Sequence, residues 1–218
     1  MERQFWVERW ERGEIGFHQA EVNTHLQAWW NDLTLPAGGT VFVPLCGKSR
    51  DMLWLLGQGY RVLGVEISPL AVKAFFDEND LEPQVSTEGA FECWRSGELT
   101  ILCGDFFDLA PEQLKGVAGV YDRASLVALP PPMRERYAGH LAAILPPGVT
   151  TLLVTLDYPQ REMDGPPFAV SEEEVHRLFD PRFEVAHLFT QDMLAENPQF
   201  RARGLTRFVE QVYRLHPR

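Results

Sequence analysis

Short apolar runs alternate with amphipathic stretches along most of this chain. Residues 41–45 (Val-Phe-Val-Pro-Leu) form a continuous apolar run of the kind buried on both faces of a parallel sheet. A turn over 46–49 follows, and Met52, Leu53, Leu55 and Leu56 then fall on one helical stripe, with Ser49 as the expected cap and Gly59 as the left-handed closing residue. A second strand over 61–66 comes next, and Ser68-Pro69 reads as cap and first-turn proline for a helix over 70–79. Further strands are predicted over 99–103, 117–121 and 150–156, with a helix over about 133–145 between the last two.

The C-terminal part has a different pattern. Ser171 followed by Glu172, Glu173 and Glu174 is a capping box, and Val170 and Val175 are placed as a hydrophobic staple, so 171–179 is predicted to be a helix. Residues 183–190 and 207–215 then read as two strands whose connection is too short for an ordinary crossover helix, which makes them an antiparallel pair. Upstream of the first strand a helix is expected over about 19–31, in a segment that holds Trp6, Trp10, Trp29 and Trp30. The sum is an α/β protein: a three-layer α/β/α sandwich with a mostly parallel, Rossmann-like sheet of seven strands and an antiparallel C-terminal strand. One domain over 1–218 is expected, with 1–35 as an N-terminal helical lid.

Chemistry enters at the first two strands. In a right-handed βαβ unit both strand ends point to the same edge, so the turn at Gly47 and the carboxylate of Glu66 face one crevice. Glu66 lies about twenty residues past the turn, the usual distance for a carboxylate that accepts from two ribose hydroxyls. A surface salt bridge is the plainer alternative for this residue. A dinucleotide loop needs G-x-G-x-x-G, but Gly47 stands alone among Leu45, Cys46, Lys48, Ser49 and Arg50. Gly47-Lys48-Ser49 is not a P-loop either, because the first glycine of that motif would fall on Phe42; Lys48 then reads as solvated or carboxylate-paired. The pattern fits an adenosine ligand without phosphates. S-adenosylmethionine meets that description, since its amino-acid tail needs only backbone polar groups and a small turn, and it points to methyl transfer.

Composition narrows the partners. A formal charge of −11 on 218 residues repels a phosphate backbone, so nucleic acid is not an expected partner. No apolar run approaches the roughly twenty residues of a membrane span, and no signal-peptide core opens the chain, so a cytosolic protein with no membrane partner is expected. Cys46, Cys93 and Cys103 form no C-x-x-C and are odd in number, which argues against a disulfide framework and against a metal site. Buried packing is their expected role, with Cys46, near a helix N-terminus, the one in place for a reactive thiolate.

Several longer motifs carry a resemblance. With Trp6 and Trp10 spaced W-x3-W, G-E-I-G-F-H-Q at 13–19, V-P-L-C-G-K-S at 43–49, G-D-F-F at 104–107, Y-D-R-A at 121–124 and G-P-P-F at 165–168, the chain resembles the bacterial thiopurine S-methyltransferases over nearly its whole length. The resemblance implies the class I methyltransferase sheet and a cytosolic monomer. It further implies methyl transfer from S-adenosylmethionine to the sulfur of thiopurines such as 6-mercaptopurine, with selenium and tellurium compounds as further acceptors, so the partner is a small-molecule thiol or metalloid substrate. The family's cofactor contacts fall on Trp10, Leu45, Glu66 and Arg123, beside Gly47 in the same loop. Trp10 would close over the sulfonium, where cation–π attraction contributes roughly 0.5–2 kcal/mol. Arg123, with Asp122 as its obvious local partner, would meet the cofactor carboxylate or a substrate heteroatom. Asp105, at the end of the third strand, is placed for the adenine amino group.

No obligatory general base is expected, because a thiopurine thiol is already partly ionised near neutral pH and needs alignment and desolvation above all. Arg123, Arg201, Arg203, Phe17 and His18 are the substrate-side candidates, Arg201 and Arg203 because the family uses an arginine in its C-terminal substrate region. Two other functions stay open on the sequence: methylation of another small nucleophile, and a non-catalytic module that binds S-adenosylmethionine.

Overall fold

The computed structural model describes residues 3–15 and 18–218, with the side chains of all of these but Arg3. Among them nine strands form one sheet, in the spatial order β3 (Gln84–Glu88), β4 (Phe91–Ser96), β5 (Leu99–Cys103), β2 (Arg61–Glu66), β1 (Thr40–Val43), β6 (Val117–Arg123), β7 (Thr150–Asp157), β9 (Val209–Pro217) and β8 (Phe183–Asp192). Its centre is parallel: β5 (Leu99–Cys103), β2 (Arg61–Glu66), β1 (Thr40–Val43), β6 (Val117–Arg123) and β7 (Thr150–Asp157) run in one direction. Chain order reverses between β1 and β6. That switch point opens a crevice at the carboxyl ends of the two strands.

Alternation along the strands builds two cores, one on each face. Val41 and Val43 of β1, with Leu152 and Val154 of β7, join one core together with Leu26 of α2 (Thr24–Trp29), Met52 and Leu55 of α3 (Asp51–Gly57), and Val72, Phe75 and Phe76 of α4 (Pro69–Glu78). Phe42 and Leu153, the residues between, point the other way. They pack with Leu126 and Val127 of α5 (Ser125–Ala128), Tyr137, Ala138 and Leu141 of α6 (Pro131–Ile144), and Val175 and Phe179 of α7 (Glu172–Phe179). A continuous apolar strand is therefore divided residue by residue between two helical layers, the three-layer arrangement expected from the sequence. Full burial of each such side chain contributes roughly 1.5–3 kcal/mol.

All seven expected strands are present, including the antiparallel pair β8 (Phe183–Asp192) and β9 (Val209–Pro217), joined through the short α8 (Pro198–Ala202). The count of seven is corrected to nine. The two added strands are β3 (Gln84–Glu88) and β4 (Phe91–Ser96), an antiparallel hairpin on the free side of β5. Every residue of β3 is exposed, so it lacks the apolar alternation that marks a strand. Its two turns are the visible signal: Glu88 pairs Phe91 and Ser96 pairs Leu99, each across a two-residue loop that starts with a glycine of positive φ, Gly89 and Gly97.

Some helix boundaries also differ. The expected helix over 19–31 shortens to α2, because Asn23 caps it by accepting from His25 N and Leu26 N, and a 3-10 turn (Trp30–Leu33) ends it. Upstream lies a further helix, α1 (Arg3–Glu11). Ser49 does not cap α3 itself: Arg50 occupies that position, and Ser49 Oγ accepts from Asp51 N at 3.2 Å. Ser68 and Ser171 do cap α4 and α7, accepting from Ala71 N and Glu174 N. Half of the capping box is absent, since the Glu174 carboxylate turns to Arg134 at 2.6 Å.

Candidate active site

The loop that leaves β1 is drawn tightly against the end of β2. Cys46 N donates to Val65 O at 3.0 Å, and Gly47 N donates to Glu66 Oε2 at 2.8 Å. Ser68 N donates to the other carboxylate oxygen, Oε1, at 2.9 Å. Closing so short a loop takes positive φ at Leu45 (46°) and at Gly47 (52°). Glycine relieves the second. The first is a left-handed leucine, a conformation worth of order 1–3 kcal/mol that concentrates at functional sites. Glu66 is almost wholly buried. Burial pushes its carboxyl above the ordinary value, and the N–H groups of Ser68, Gly47 and Ile67 pull it back. Each oxygen holds one backbone donor and has capacity for a second.

At the end of β2 lies a cavity of about 340 Å³, lined by Val65 and Ile67 on either side of Glu66 and not by Glu66 itself. Its walls are largely apolar: Leu45, Val65, Ile67, Phe106, Phe107, Leu129 and Met133, with Trp6 among them. Asp105 and Arg136 add the charged groups. Asp105 uses Oδ1 to accept from Phe107 N at 2.9 Å, and the guanidinium of Arg136 lies 3.8 Å from the centre of the Phe107 ring. Apolar walls with a few convergent polar groups suit a flat heterocycle. Met133 and Arg136 line the cavity and are not among the candidates that the sequence offers. Their signal was the i, i+3 spacing that puts both on one face of α6.

Trp10 covers the loop from outside: a Cβ built on Gly47 would lie 3.4 Å from Trp10 Cζ2. The indole thus lies in van der Waals reach of position 47, where the φ of +52° is what favours glycine. Lys48 is paired, donating to both oxygens of Glu78 at 2.6 and 2.8 Å. Cys46 is buried, and burial followed by the charge of Glu66 pushes its thiol well up, which makes it a packing residue and not a thiolate.

Arg123 ends β6, beside the β1 loop. Its expected local partner, Asp122, is a correction: neighbouring strand residues point to opposite faces, and Asp122 accepts from Tyr137 Oη at 2.6 Å on the far side of the sheet. Arg123 instead lies 4.0 Å from Asp51 Oδ2. His18 stands near the same cations; burial first, then Lys48, with Arg123 and Arg50 behind it and Glu78 opposing, lowers its pKa. Phe17 lies outside the described residues. Arg201 and Arg203 are exposed at α8, between β8 and β9, and neither lines the cavity. Of these residues Leu45 and Asp105 line the cavity, Trp10, Gly47, Glu66 and Arg123 stand at the β1 loop and the neighbouring strand ends without lining it, and the two C-terminal arginines lie apart at α8. Among the described residues no group of His, Cys, Asp or Glu is arranged to hold a metal ion, and no helix is long and apolar enough to cross a membrane.

Known proteins share both the sequence and the fold. The sequence model of the thiopurine S-methyltransferase family matches residues 1–218. A thiopurine S-methyltransferase of Azotobacter vinelandii is 54% identical over 218 residues, covering 100% of both chains, and one of Nitrosospira multiformis is 52% identical, covering 100% of this chain and 99% of its own. Among solved structures, the 1,6-didemethyltoxoflavin-N1-methyltransferase of Burkholderia thailandensis, with bound 1,6-didemethyltoxoflavin and S-adenosylhomocysteine, superposes with a TM-score of 0.63 at 16% identity, over 99% of this chain and 86% of that one, a likeness of fold alone. The nine-stranded α/β sheet, the full-length match and the identity of about half therefore place this chain in the thiopurine S-methyltransferase family, as an S-adenosylmethionine-dependent methyltransferase.

Proposed function

We propose that the acceptor is the sulfur of a thiopurine such as 6-mercaptopurine, and that selenium and tellurium compounds serve as further acceptors. The observation that carries the site assignment is the buried Glu66 carboxylate, fixed by Gly47 N and Ser68 N beside an apolar cavity. With its remaining acceptor capacity Glu66 takes both ribose hydroxyls of the cofactor, Asp105 takes the adenine amino group, and the Leu45–Gly47 backbone borders the amino-acid tail. When bound, S-adenosylmethionine supplies an electrophilic methyl on a sulfonium.

The chain's own residues align and desolvate. Trp10, lying over Gly47, excludes water from the loop and presents an aromatic face to positive charge. Arg123 offers a cation at the β1/β6 crevice to an anion, and no side chain has to accept a proton from an acceptor already ionised. Selenium and tellurium nucleophiles need the same alignment and no more. In this reading the chain is one cytosolic, monomeric domain in which residues 1–35 act as the lid.

Transfer of radiolabelled methyl from S-adenosylmethionine to 6-mercaptopurine tests the acceptor. No labelled product at saturating acceptor would end the thiopurine reading, and labelling of another thiol or of a selenium species would redirect it. Glu66→Ala is expected to weaken S-adenosylhomocysteine binding by about 1.5–3 kcal/mol, the scale of lost charge-assisted hydrogen bonds. Calorimetry with an unchanged dissociation constant would remove Glu66 from the ribose.

A further inference from the structure

Asp51, the first residue of α3, is 1% exposed and holds three elements together. Its Oδ1 accepts from the backbone N–H of Asn23 at 2.8 Å, and its Oδ2 accepts from Tyr121 Oη at 3.0 Å. Asn23 is the cap of α2, and the first turn of that helix is tied to β9 through His25 Nε2 and Glu210 Oε2, 2.9 Å apart. Tyr121 precedes Arg123 by two residues on β6, so both side chains lie on the Asp51 face. Each oxygen holds one fixed donor, and the carboxylate attracts Arg123 from 4.0 Å without hydrogen-bonding it. Among the described residues no other acceptor meets the Arg123 guanidinium, whose side chain is only 14% exposed. A buried cation is thus neutralised at a distance while its N–H groups stay uncommitted.

We propose that Asp51 is a positioning residue: it holds Arg123 at the β1/β6 crevice with its donors free for one anionic group, either the carboxylate of the cofactor's amino-acid tail or the thiolate of the acceptor. The proposal rests on the reading of Arg123 as a site residue. A direct ion pair would have occupied those donors. The Tyr121 hydroxyl and the Asn23 N–H fix the orientation of the Asp51 carboxylate, which leaves Arg123 at 4.0 Å, so the docking of α2 and the placement of Arg123 depend on the same side chain.

The test is a double-mutant cycle on the full chain with Asp51→Asn, Arg123→Gln and both together. It reads dissociation constants of S-adenosylhomocysteine and of methylthioadenosine, which lacks the tail, and the KM for 6-mercaptopurine. If the anion is the tail, each single variant weakens S-adenosylhomocysteine about 10–100-fold, the range of a lost charge-assisted bond, and leaves methylthioadenosine unchanged. If the anion is the acceptor, KM rises on the same scale instead. In either case the double variant is no worse than Arg123→Gln alone. Additive losses, weakening of methylthioadenosine by Asp51→Asn, or an effect of Arg123→Gln that Asp51→Asn does not share each overturn the proposal. If Arg123→Gln changes none of the three, the site reading of Arg123 itself fails. Should Asp51→Asn not fold, Tyr121→Phe substitutes for it: the released Oδ2 captures Arg123 directly, and the same quantity worsens in the parent but not beside Arg123→Gln. An unchanged value in the parent would overturn the proposal as firmly.

Discussion

The carboxyl end of β6 sends its side chains to two faces, and each face meets a buried carboxylate in a different way. On one face Asp122 itself is buried and accepts from Tyr137 Oη at 2.6 Å; among the described residues no arginine or lysine is paired with it. On the other, Tyr121 and Arg123 reach Asp51, which accepts from a hydroxyl and a backbone N–H with a guanidinium 4.0 Å away. A cation and a second donor compensate the charge of Asp51, whereas Asp122 has a hydroxyl in a place where burial dominates, and its carboxyl is pushed up to about 6. The face with the cation adjoins the β1 loop, whereas Tyr137, the partner of Asp122, lines the cavity together with Leu129 and Met133. The same residue type meets a hydroxyl under dominant burial on one face and a nearby cation on the other.

The largest expected effect is on the Asp122 face. Because its folded pKa is raised from 3.8 to about 6, the folded chain holds this proton over a window in which the unfolded chain has lost it. Stability therefore falls as pH rises from about 4 to about 6 and stays at the lower level above, by up to about 3 kcal/mol. Asp122→Asn keeps a group that can accept from Tyr137 and removes the titration. Its advantage over the parent should grow across that window and then level off. Urea denaturation at a series of pH values checks this, and a pH-independent difference between the two chains would mean that burial does not raise the Asp122 carboxyl.

A smaller effect separates the two tyrosines. Tyr137→Phe leaves a buried carboxylate without its short hydroxyl donor, with an expected cost of about 1–3 kcal/mol at pH 8. Tyr121→Phe leaves Asp51 its bond from Asn23 N and the nearby Arg123, so the expected cost is about 0.5–1.5 kcal/mol. Unfolding midpoints of the two variants decide the matter. An equal or larger loss for Tyr121→Phe would break the contrast, because it would show that the cation gives Asp51 no protection.

Much of the frame behind this contrast was legible in the chain. Val41, Phe42 and Val43 announced a strand buried on both sides, and the distance from Gly47 to Glu66 announced the crevice, because both signals are local. The β3–β4 hairpin was not legible by hydrophobic pattern, since Gln84–Glu88 is exposed throughout and only Gly89 and Gly97 mark its turns. Arg123 was correctly placed at the edge, but its partner was taken from the adjacent position, and strand alternation sends Asp122 away from it. Asp51 could not be found by spacing. Its donors lie 28 residues upstream and 70 downstream, and the topology alone brings them together. Local chemistry reads out of a sequence; charge compensation across a sheet has to be seen.

The smallest effect concerns the residue at which β6 turns into α5. Ala124 has φ of +66°, as Leu45 has +46° after the neighbouring strand, and neither is a glycine. At Leu45 the side chain lines the cavity, so removing it would confound strain with loss of a ligand wall. Ala124 offers the cleaner measurement. A left-handed non-glycine residue is disfavoured by roughly 1–2 kcal/mol, while glycine brings back about 0.5–1 kcal/mol of chain entropy on unfolding. Ala124→Gly is therefore expected to gain about 0.5–1 kcal/mol in urea denaturation with an unchanged m value. A gain would show that the turn carrying Arg123 and Asp122 to their opposite faces is held under strain by its surroundings, above all by Ser125, whose Oγ donates to Pro44 O at 3.0 Å and so ties the end of β6 to the loop after β1. A loss would show that the chain adopts this turn without strain and that the two faces are set by the strand alone.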